Sequence, residues 1–353
     1  MSAARVRSAP ALPVDVLLVL GVAFLLVAGS LLVASATRRY DDGGAVLTRH
    51  LISIGIGTVL AIGVALVPRR LLLALAPVGY LLAVAALVAL VPFGTTVAGS
   101  RSWIRLPTGY SLQPSEFAKV AMVAALAGWF GLRRHRDRQR GTRPWVEVTG
   151  AILIAAVPLA LVALQPDVGT LLVMAVTVFG VLLLAGVRWR ALVGLVLAGA
   201  SVLAVAVRAG MLADYQVARF TAFLRPEADT LGVGYNTAQA IGAIGSGGLT
   251  GTGLFSGPAT QGGFVPEQQA DFVLSVAGEE LGFVGTGLIV VVFALVVWRI
   301  FAAAPADDTV GRSLADGVGC WFAVQGFENI GIACASSPSP GFRCRSSPTV
   351  GRR

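Results

Sequence analysis

The sequence has little charge: Asp, Glu, Lys and Arg make up 13% of its 353 residues, whereas 56% are hydrophobic and the mean hydropathy is +0.80. Soluble domains carry about twice that share of charged residues. The deficit excludes an ordinary soluble globule of this size, and the apolar content excludes an intrinsically disordered chain. The composition therefore predicts an all-α, polytopic membrane protein.

Cysteine, histidine and lysine are also scarce. The three cysteines and two histidines show no disulfide or metal-ligand spacing, so neither a disulfide framework nor a dedicated metal site is predicted. Lys119 is the single lysine, and the net charge of +9 comes from arginine. These arginines lie between apolar runs rather than in a patch with interleaved aromatics, which argues against nucleic acid as a partner.

Long hydrophobic runs are abundant. A helix that crosses the ~30 Å hydrocarbon core needs about 20 apolar residues. We expect about nine transmembrane helices, at residues 14–35, 51–67, 71–92, 116–132, 148–164, 168–187, 190–208, 273–300 and 313–333. The first is predicted to be a retained span, because its run is longer than a signal-peptide core and no clean cleavage site follows.

The arginines also predict the orientation. Short cytoplasmic loops are enriched in Arg and Lys, and six arginines lie in the predicted loop 133–147. With the N-terminus in the cytoplasm, the short loops that carry most arginine all fall on the inside. Residues 209–272 then form a large extracellular loop between the seventh and eighth helices. Its aromatic residues and a short helix predicted at 236–244 favour a folded platform on the membrane over a mobile linker.

Ionisable residues in such an apolar chain indicate functional positions. Glu116 and Lys119 open the fourth span three residues apart, so they can form an ion pair. The alternative is a helix start, with Ser115 as the N-cap. Gln165 and Asp167 lie between two spans with almost no loop, where they serve either in a tight turn with a helix cap or in the lining of a polar cavity.

Carboxylates are concentrated where the long loop meets the eighth span. Glu267 and Asp271 precede this span, and Glu279 and Glu280 lie within it. Helical spacing would place Asp271 and Glu279 on one face. Asp271, at the membrane edge, is a candidate general base, with a plain N-cap as the alternative. External arginines can neutralise an anionic head group, so the residues alone indicate a site for an anionic, lipid-linked ligand.

Several strings, taken in order, resemble the SEDS family of bacterial cell-wall proteins, which includes RodA, FtsW and SpoVE. The Gly-Ser-Gly-Gly-Leu string is closer to RodA than to FtsW. The resemblance covers roughly residues 13–333, and the strings that carry it are 99–104 (Gly-Ser-Arg-Ser-Trp-Ile), 113–119 (Gln-Pro-Ser-Glu-Phe-Ala-Lys), 165–170 (Gln-Pro-Asp-Val-Gly-Thr), 234–236 (Gly-Tyr-Asn), 245–249 (Gly-Ser-Gly-Gly-Leu), 264–267 (Phe-Val-Pro-Glu), 270–272 (Ala-Asp-Phe) and 278–282 (Gly-Glu-Glu-Leu-Gly).

The resemblance implies a peptidoglycan glycosyltransferase that polymerises lipid II at the outer face of the bacterial plasma membrane, for cell elongation, shape or division. It places the family's essential aspartate at Asp271, which would take the acceptor proton. It also implies a class B penicillin-binding protein as partner. No cofactor is certain, although a divalent cation such as Mg²⁺ could share the pyrophosphate charge. The residues expected to bind substrate are Arg101, Lys119, Arg219, Glu116, Gln165, Asp167, Glu267 and Glu279.

The C-terminal part departs from the family, which usually has ten spans. Residues 1–333 are predicted to form the SEDS-type transmembrane domain, whereas 334–353 is rich in Ser, Pro and Arg. Codons allowed for this tail, read one base out of register, can encode the family's Pro-Phe-Val-Ser-Tyr-Gly-Gly-like motif. We therefore expect an out-of-frame tail and impaired activity. A lipid II flippase and an inactive scaffold for cell-wall enzymes remain the alternative functions.

Overall fold

The computed structural model describes residues 15–40, 43–97, 100–105, 111–140, 144–165, 167–210, 233–304 and 308–334. The tail predicted at 334–353 lies outside these ranges except for its first residue. The described helices are α1 (Val16–Thr37), α2 (Gly43–Leu66), α3 (Arg69–Phe93), α4 (Pro114–Arg140), α5 (Pro144–Leu164), α6 (Val168–Leu184), α7 (Trp189–Arg208), α8 (Val233–Ser246), α9 (Pro258–Gly262), α10 (Val273–Ala302) and α11 (Thr309–Cys334).

The prediction of an all-α, polytopic membrane protein is confirmed. Nine of the described helices have 17 residues or more, and each contains one of the nine predicted spans or most of it. Five of them (α1, α2, α3, α5 and α10) are long and apolar enough to cross a membrane, and α6 and α7 are shorter apolar helices. Their exposed faces carry large apolar side chains such as Leu60 and Val202, as expected for lipid-facing surfaces.

Two groups of packed helices surround the candidate site, and α11 joins them. α4 packs against α3, α5 and α11, and the largest apolar core lies between α3, α4, α5 and α6. α1 packs along α10, where Leu32 and Ala36 meet Val276 and Ala277. α11 lies against α4, α6 and α10 and thereby joins the two groups. Among the described elements, α2 packs mainly on α1, and most of its surface is exposed.

Two predicted boundaries are wrong. α2 begins at Gly43, not at residue 51, because the polar residues Arg49 and His50 interrupt the apolar run without interrupting the helix. α4 continues to Arg140, so much of the Arg-rich segment predicted as a loop is helical. Arginine is a good helix former, and an apolarity criterion misses helical turns that extend beyond the hydrocarbon core.

A small antiparallel sheet, which the sequence did not predict, connects α3 to α4. Its strands β1 (Thr95–Val97), β2 (Ser100–Arg105) and β3 (Ser111–Leu112) pair in the order β1-β2-β3. Thr95 is opposite Trp103, and Ile104 is opposite Leu112. The sheet contains residues 100–104 of the family string at 99–104 and leads directly into the start of α4.

Successive long helices alternate in direction, so the helix bundle has two ends at which the helices begin or finish. The end that carries Thr37, Asp167 and Asp271 is called the loop end below. At the opposite end, Asp15 caps α1 and accepts a hydrogen bond from Arg299 Nε at 2.9 Å. Arg69, the first residue of α3, forms an ion pair with Asp308, which precedes α11. The first pair joins the start of α1 to the end of α10, and the second joins the start of α3 to the start of α11.

Acidification is expected to weaken the Arg69–Asp308 contact. The hydrogen bond from Arg69 lowers the pKa of Asp308 below its ordinary value of 3.8, so its stabilising effect is present above that value and is lost as pH falls through the folded-state pKa. Because the pair is largely exposed, Asp308→Asn should destabilise by only about 0.2–1 kcal/mol near neutral pH. Thermal unfolding in detergent at a series of pH values measures this. A variant difference that persists in strong acid would contradict it.

Candidate active site

Asp271 lies at the loop end, on a turn just before α10. The Ala270 amide donates to the Glu267 carbonyl oxygen at 3.0 Å, and Phe272 donates to the same oxygen at 3.4 Å. Glu267 has a φ of 51°, an uncommon conformation for a residue with a side chain. Phe272 is buried, whereas the side chain of Asp271 is exposed. Within the described part of the chain, no residue hydrogen-bonds the Asp271 carboxylate.

The prediction that Asp271 and Glu279 share a helical face is wrong. α10 begins at Val273, so Asp271 precedes the helix. Glu279 and Glu280 are 0% and 1% exposed, in contrast to the exposed Asp271. The carboxylates at this junction therefore have different surroundings, and Asp271 is the accessible one among these three.

α10 is broken at Gly282, where φ is 67° and ψ is −169°. An unbroken helix would hydrogen-bond the amides of residues 283 and 284 to the carbonyls of residues 279 and 280. Here the segment after α8 supplies both the acceptors for these amides and the donors for these carbonyls. The amides of 283 and 284 donate to the carbonyls of Gly248 and Leu249 at 2.9 and 3.1 Å, and the carbonyls of 279 and 280 accept from the amides of Thr252 and Gly253 at 3.0 Å each.

This exchange satisfies the backbone groups that the break frees, which is required wherever water is scarce. It also brings the backbone of Gly251 very close to α10: a Cβ atom on Gly251 would lie 2.2 Å from the Glu280 carbonyl oxygen. The glycines at residues 247–253 therefore dock one part of the loop onto a helix. Residues 233–272 are folded, and α8 confirms the short helix predicted at 236–244. Residues 211–232 of the predicted loop lie outside the described residues, and its extracellular position on the membrane stays a prediction.

The buried carboxylates of Glu279 and Glu280 hold the next part of this loop. Glu279 accepts from the Ala259 amide at 2.6 Å, and from the amide and hydroxyl of Thr260 at 2.8 and 2.7 Å. Glu280 accepts from the Ser35 hydroxyl at 2.6 Å and from the Phe255 amide at 3.1 Å. Both oxygens of each carboxylate thus accept hydrogen bonds, and these contacts join α1, α9 and α10. They support a positioning role for Glu279, while its predicted contact with substrate stays a prediction.

The length of α10 is consistent with this arrangement. Residues 282–302 alone provide about the 20 residues that a bilayer core requires. Val273–Leu281, the part before the break, packs against α1, α8 and the loop. Two glutamates in an apolar run are tolerated at this position because protein donors, not hydrocarbon, surround them.

A second polar group lies between α4 and α11. The Glu116 and Lys119 side chains form the predicted i, i+3 ion pair, with 2.8 Å between Oε1 and Nζ. Lys119 is 3% exposed; its Nζ also donates to Gln325 Oε1 at 3.0 Å and lies 5.0 Å from the Trp321 ring centroid. The proposed N-cap role of Ser115 is wrong, because α4 already begins at Pro114.

A cavity of about 240 Å³ adjoins this group. Gln325 and Trp321 line the cavity and also contact Lys119, so the buried ammonium group of Lys119 lies close to the cavity wall. Most of its other lining is aromatic or apolar, with one further amide; the lining residues are Phe293, Trp321, Phe322, Gln325, Gly326 and Asn329.

Asp167 and Gln165 occupy the connection between α5 and α6. Asp167 is the N-cap of α6, as predicted, and accepts from the amide and hydroxyl of Thr170 at 3.1 and 2.9 Å. It also accepts from Gln113 Nε2 at 3.0 Å, which fixes the start of α4 against the start of α6. Gln165 is buried and donates to the Leu87 carbonyl oxygen at 3.0 Å. These contacts are structural, and substrate binding by either residue stays a prediction.

The remaining predicted residues are only partly described. Arg101 lies in β2, and its side chain, like all of Arg219, falls outside the described residues. Among the residues that are described, no hydrogen bond or ion pair connects Asp271 to Lys119. The described residues also contain no group of three or more His, Cys, Asp or Glu side chains that could hold a metal ion. A cation bound together with pyrophosphate therefore stays a prediction.

Several residues of the site were missed from the sequence. Gln268 lies between the family strings 264–267 and 270–272, and nothing in the sequence indicated that its side chain is buried. Ser35 and Thr260 contact the glutamates from positions that carry no charge and no periodic pattern. Gln325 and Trp321 meet Lys119 across more than 200 residues of sequence. Only their polar character within an apolar span could have singled out Ser35 and Gln325.

Comparison with known proteins adds independent information. A protein-family model described as a cell cycle protein, of the FtsW, RodA and SpoVE group, matches residues 10–344. The peptidoglycan glycosyltransferase MrdB of Escherichia coli K12 is 34% identical over 322 residues, which cover 90% of this chain and 85% of MrdB. Stage V sporulation protein E of Bacillus subtilis is 34% identical over 338 residues, covering 93% of this chain and 89% of that protein.

Solved structures agree with these similarities. A chain from a peptidoglycan synthase complex, described as coordinating polymerisation and crosslinking, superposes with a TM-score of 0.76 at 28% identity. The match covers 94% of this chain and 90% of that one. The rod shape determining protein RodA of Thermus thermophilus gives a TM-score of 0.64 at 27% identity, covering 93% of this chain and 87% of RodA.

Proposed function

This chain belongs to the FtsW/RodA/SpoVE family, and we propose that it is a peptidoglycan glycosyltransferase that polymerises lipid II at the outer face of the plasma membrane. The observation that carries the proposal is the exposed carboxylate of Asp271 on a turn that also contains the buried residues Gln268 and Phe272. An exposed carboxylate without a protein partner in the described structure is suited to accept a proton from a bound sugar.

The proposed reaction is an inverting glycosyl transfer. A hydroxyl oxygen of the acceptor sugar attacks the anomeric carbon of the donor and forms the new glycosidic bond. The bond from that carbon to the pyrophosphate oxygen breaks, and undecaprenyl pyrophosphate leaves with the electron pair. Asp271 takes the proton of the attacking hydroxyl and later releases it to water. Positive charge near the leaving group, from Lys119, Arg101 and Arg219, would stabilise the developing pyrophosphate.

The multi-pass membrane location follows from the described helices and the family. The finer assignment is part of the proposal: the N-terminus is cytoplasmic, and the loop end faces outward. It is supported by the arginines at residues 133–140, which lie in the last turns of α4, at the opposite end. Lipid II presented on the outer leaflet would then meet Asp271 directly.

A class B penicillin-binding protein is the proposed partner. A structural neighbour belongs to a complex described as coordinating polymerisation and crosslinking. A chain that forms glycan strands would act together with such a transpeptidase, which crosslinks them. The division of the chain into a domain at residues 1–333 and an out-of-frame tail is a further proposal, independent of the partner. The family match extends to residue 344. The nucleotide sequence beyond codon 330 tests the division.

Reconstitution in liposomes with labelled lipid II tests the function. Formation of glycan polymer, lost in Asp271→Ala, supports the polymerase. Lipid II translocation without polymer would instead indicate a flippase. A folded protein that binds a penicillin-binding protein but shows neither activity would indicate a scaffold, and either of these last results overturns the proposal.

Loss of the Lys119 charge should slow polymerisation. Lys119→Gln removes the buried cation beside the cavity, and loss of one charge-stabilising donor typically lowers kcat about 10²-fold. Initial rates at several lipid II concentrations measure this. Arg70→Gln, which removes an exposed charge at the opposite end, is the matched control and should keep its rate. An unchanged rate in folded Lys119→Gln would exclude this role.

A further inference from the structure

We propose that Gln268 is a positioning residue for the glycosyl transfer, because its buried amide fixes the turn that carries Asp271. This inference rests on the proposed function. Gln268 is 1% exposed, and its Nε2 donates to the carbonyl oxygens of Ala36 and Thr260 at 2.9 and 3.0 Å. Asp271 follows three residues later in the same turn. A single side chain therefore connects this turn to two other elements.

Both acceptors lie in the last turns of helices. Ala36 is the penultimate residue of α1, and Thr260 is in the short helix α9. The Thr260 carbonyl oxygen also accepts from the Gly263 amide at 3.2 Å, and its second lone pair accepts from Gln268. The two hydrogen bonds of Gln268 thus place the turn at the junction of α1 and α9.

Thr260 is itself held by α10, the helix that follows the turn. Glu279 accepts from both its amide and its hydroxyl. The resulting network runs from Glu279 through Thr260 to Gln268 and returns through the turn to the start of α10. Val265 and Phe272, both buried, close the turn on either side. These contacts fix the turn that carries the exposed Asp271, although no described residue hydrogen-bonds the Asp271 side chain itself.

The choice of an amide at this position supports a geometric role. Gln268 Oε1 is buried and has no hydrogen-bond partner in the described part of the chain. Burying an acceptor without a partner is unfavourable, so an apolar side chain would fill the same volume at less expense in desolvation. The amide instead supplies two donors in a fixed direction, which an apolar residue cannot do.

Kinetics of Gln268→Met test the proposal. Methionine keeps the volume but removes both donors. A displacement of about 1 Å at a reacting group can reduce the rate about 10²-fold, so we expect kcat to fall about 10- to 100-fold. The KM for lipid II should change less than about twofold, because ground-state binding is not altered. The adjacent Gln269→Met is the matched control and should leave both constants unchanged, since the Gln269 side chain connects the turn to no other described element and hydrogen-bonds Glu267 within it at 3.3 Å.

A labelling experiment measures the turn without relying on activity. Val265→Cys, in a background with the three native cysteines replaced by alanine, places a buried thiol beside the turn. Adding Gln268→Met should speed its alkylation by a membrane-impermeant maleimide about tenfold, whereas adding Gln269→Met should not. If Gln268→Met does not fold, Thr260→Val, which removes only the hydroxyl donor to Glu279, should still speed the alkylation measurably.

These readouts separate the two proposals. A wild-type protein that forms no polymer refutes the proposed function, while the alkylation rates still report on the turn. A folded Gln268→Met protein with unchanged kcat, or with a raised KM alone, overturns the positioning role. Equal losses in Gln268→Met and Gln269→Met also overturn it, as does an alkylation rate that neither Gln268→Met nor Thr260→Val changes.

Discussion

Replacing Asp271 with asparagine is expected to reduce kcat for lipid II polymerisation about 10²- to 10⁴-fold, the range that a general base typically contributes. Asparagine has the same shape but cannot accept the proton. Because the Asp271 side chain is exposed and hydrogen-bonds none of the described residues, the variant should fold and bind substrate as before. Single-turnover polymerisation in liposomes, with binding of labelled lipid II measured in parallel, separates chemistry from binding.

Two further variants make this result specific. Asp271→Glu keeps the carboxylate but moves it by one methylene, so it should retain more activity than Asp271→Asn. Ala270→Ser changes an exposed neighbour on the same turn and should polymerise at the wild-type rate. If Asp271→Asn polymerised as fast as the parent protein, the base would have to be another group.

Much of the fold could be predicted because a membrane span must be long and apolar. All nine predicted spans coincide with described helices, and the errors occur where polar residues extend a helix beyond its apolar run. α2 and α4 show this, since Arg49 and the arginines at residues 133–140 belong to helices. The sheet at 95–112 was missed because strands of two to six residues are too short to show a clear alternation.

The candidate site was predictable in residue type but not in geometry. The spacing of Glu116 and Lys119 was sufficient to predict their ion pair, because both lie on one helix. Glu279 and Glu280 were singled out correctly as unusual, but their partners come from residues 255–260 and from α1. Such contacts depend on how the loop folds back, and that in turn depends on the break at Gly282, which an apolar helical pattern conceals.

Gly251→Ala is expected to destabilise the protein by about 3–5 kcal/mol, a large part of the total stability of a typical domain. Gly251 has a φ of 81°, and its new Cβ atom would meet the Glu280 carbonyl oxygen at 2.2 Å. The obstacle is backbone, so it cannot move without disrupting the hydrogen bonds between residues 252–253 and 279–280. Thermal unfolding and size-exclusion chromatography in detergent should show a much lower Tm or loss of the folded peak.

Gly248→Ala separates this contact from backbone strain alone. Gly248 also has a positive φ, 54°, and belongs to the same segment, but a Cβ atom there would meet nothing within 4 Å. It should therefore lose only the roughly 1–2 kcal/mol of a left-handed alanine. The difference between the two variants measures how tightly the loop is docked on the broken helix. If Gly251→Ala were as stable as Gly248→Ala, the loop would not be tightly docked on α10 at Gly282. The inference that the loop supports the turn of Asp271 would then be contradicted.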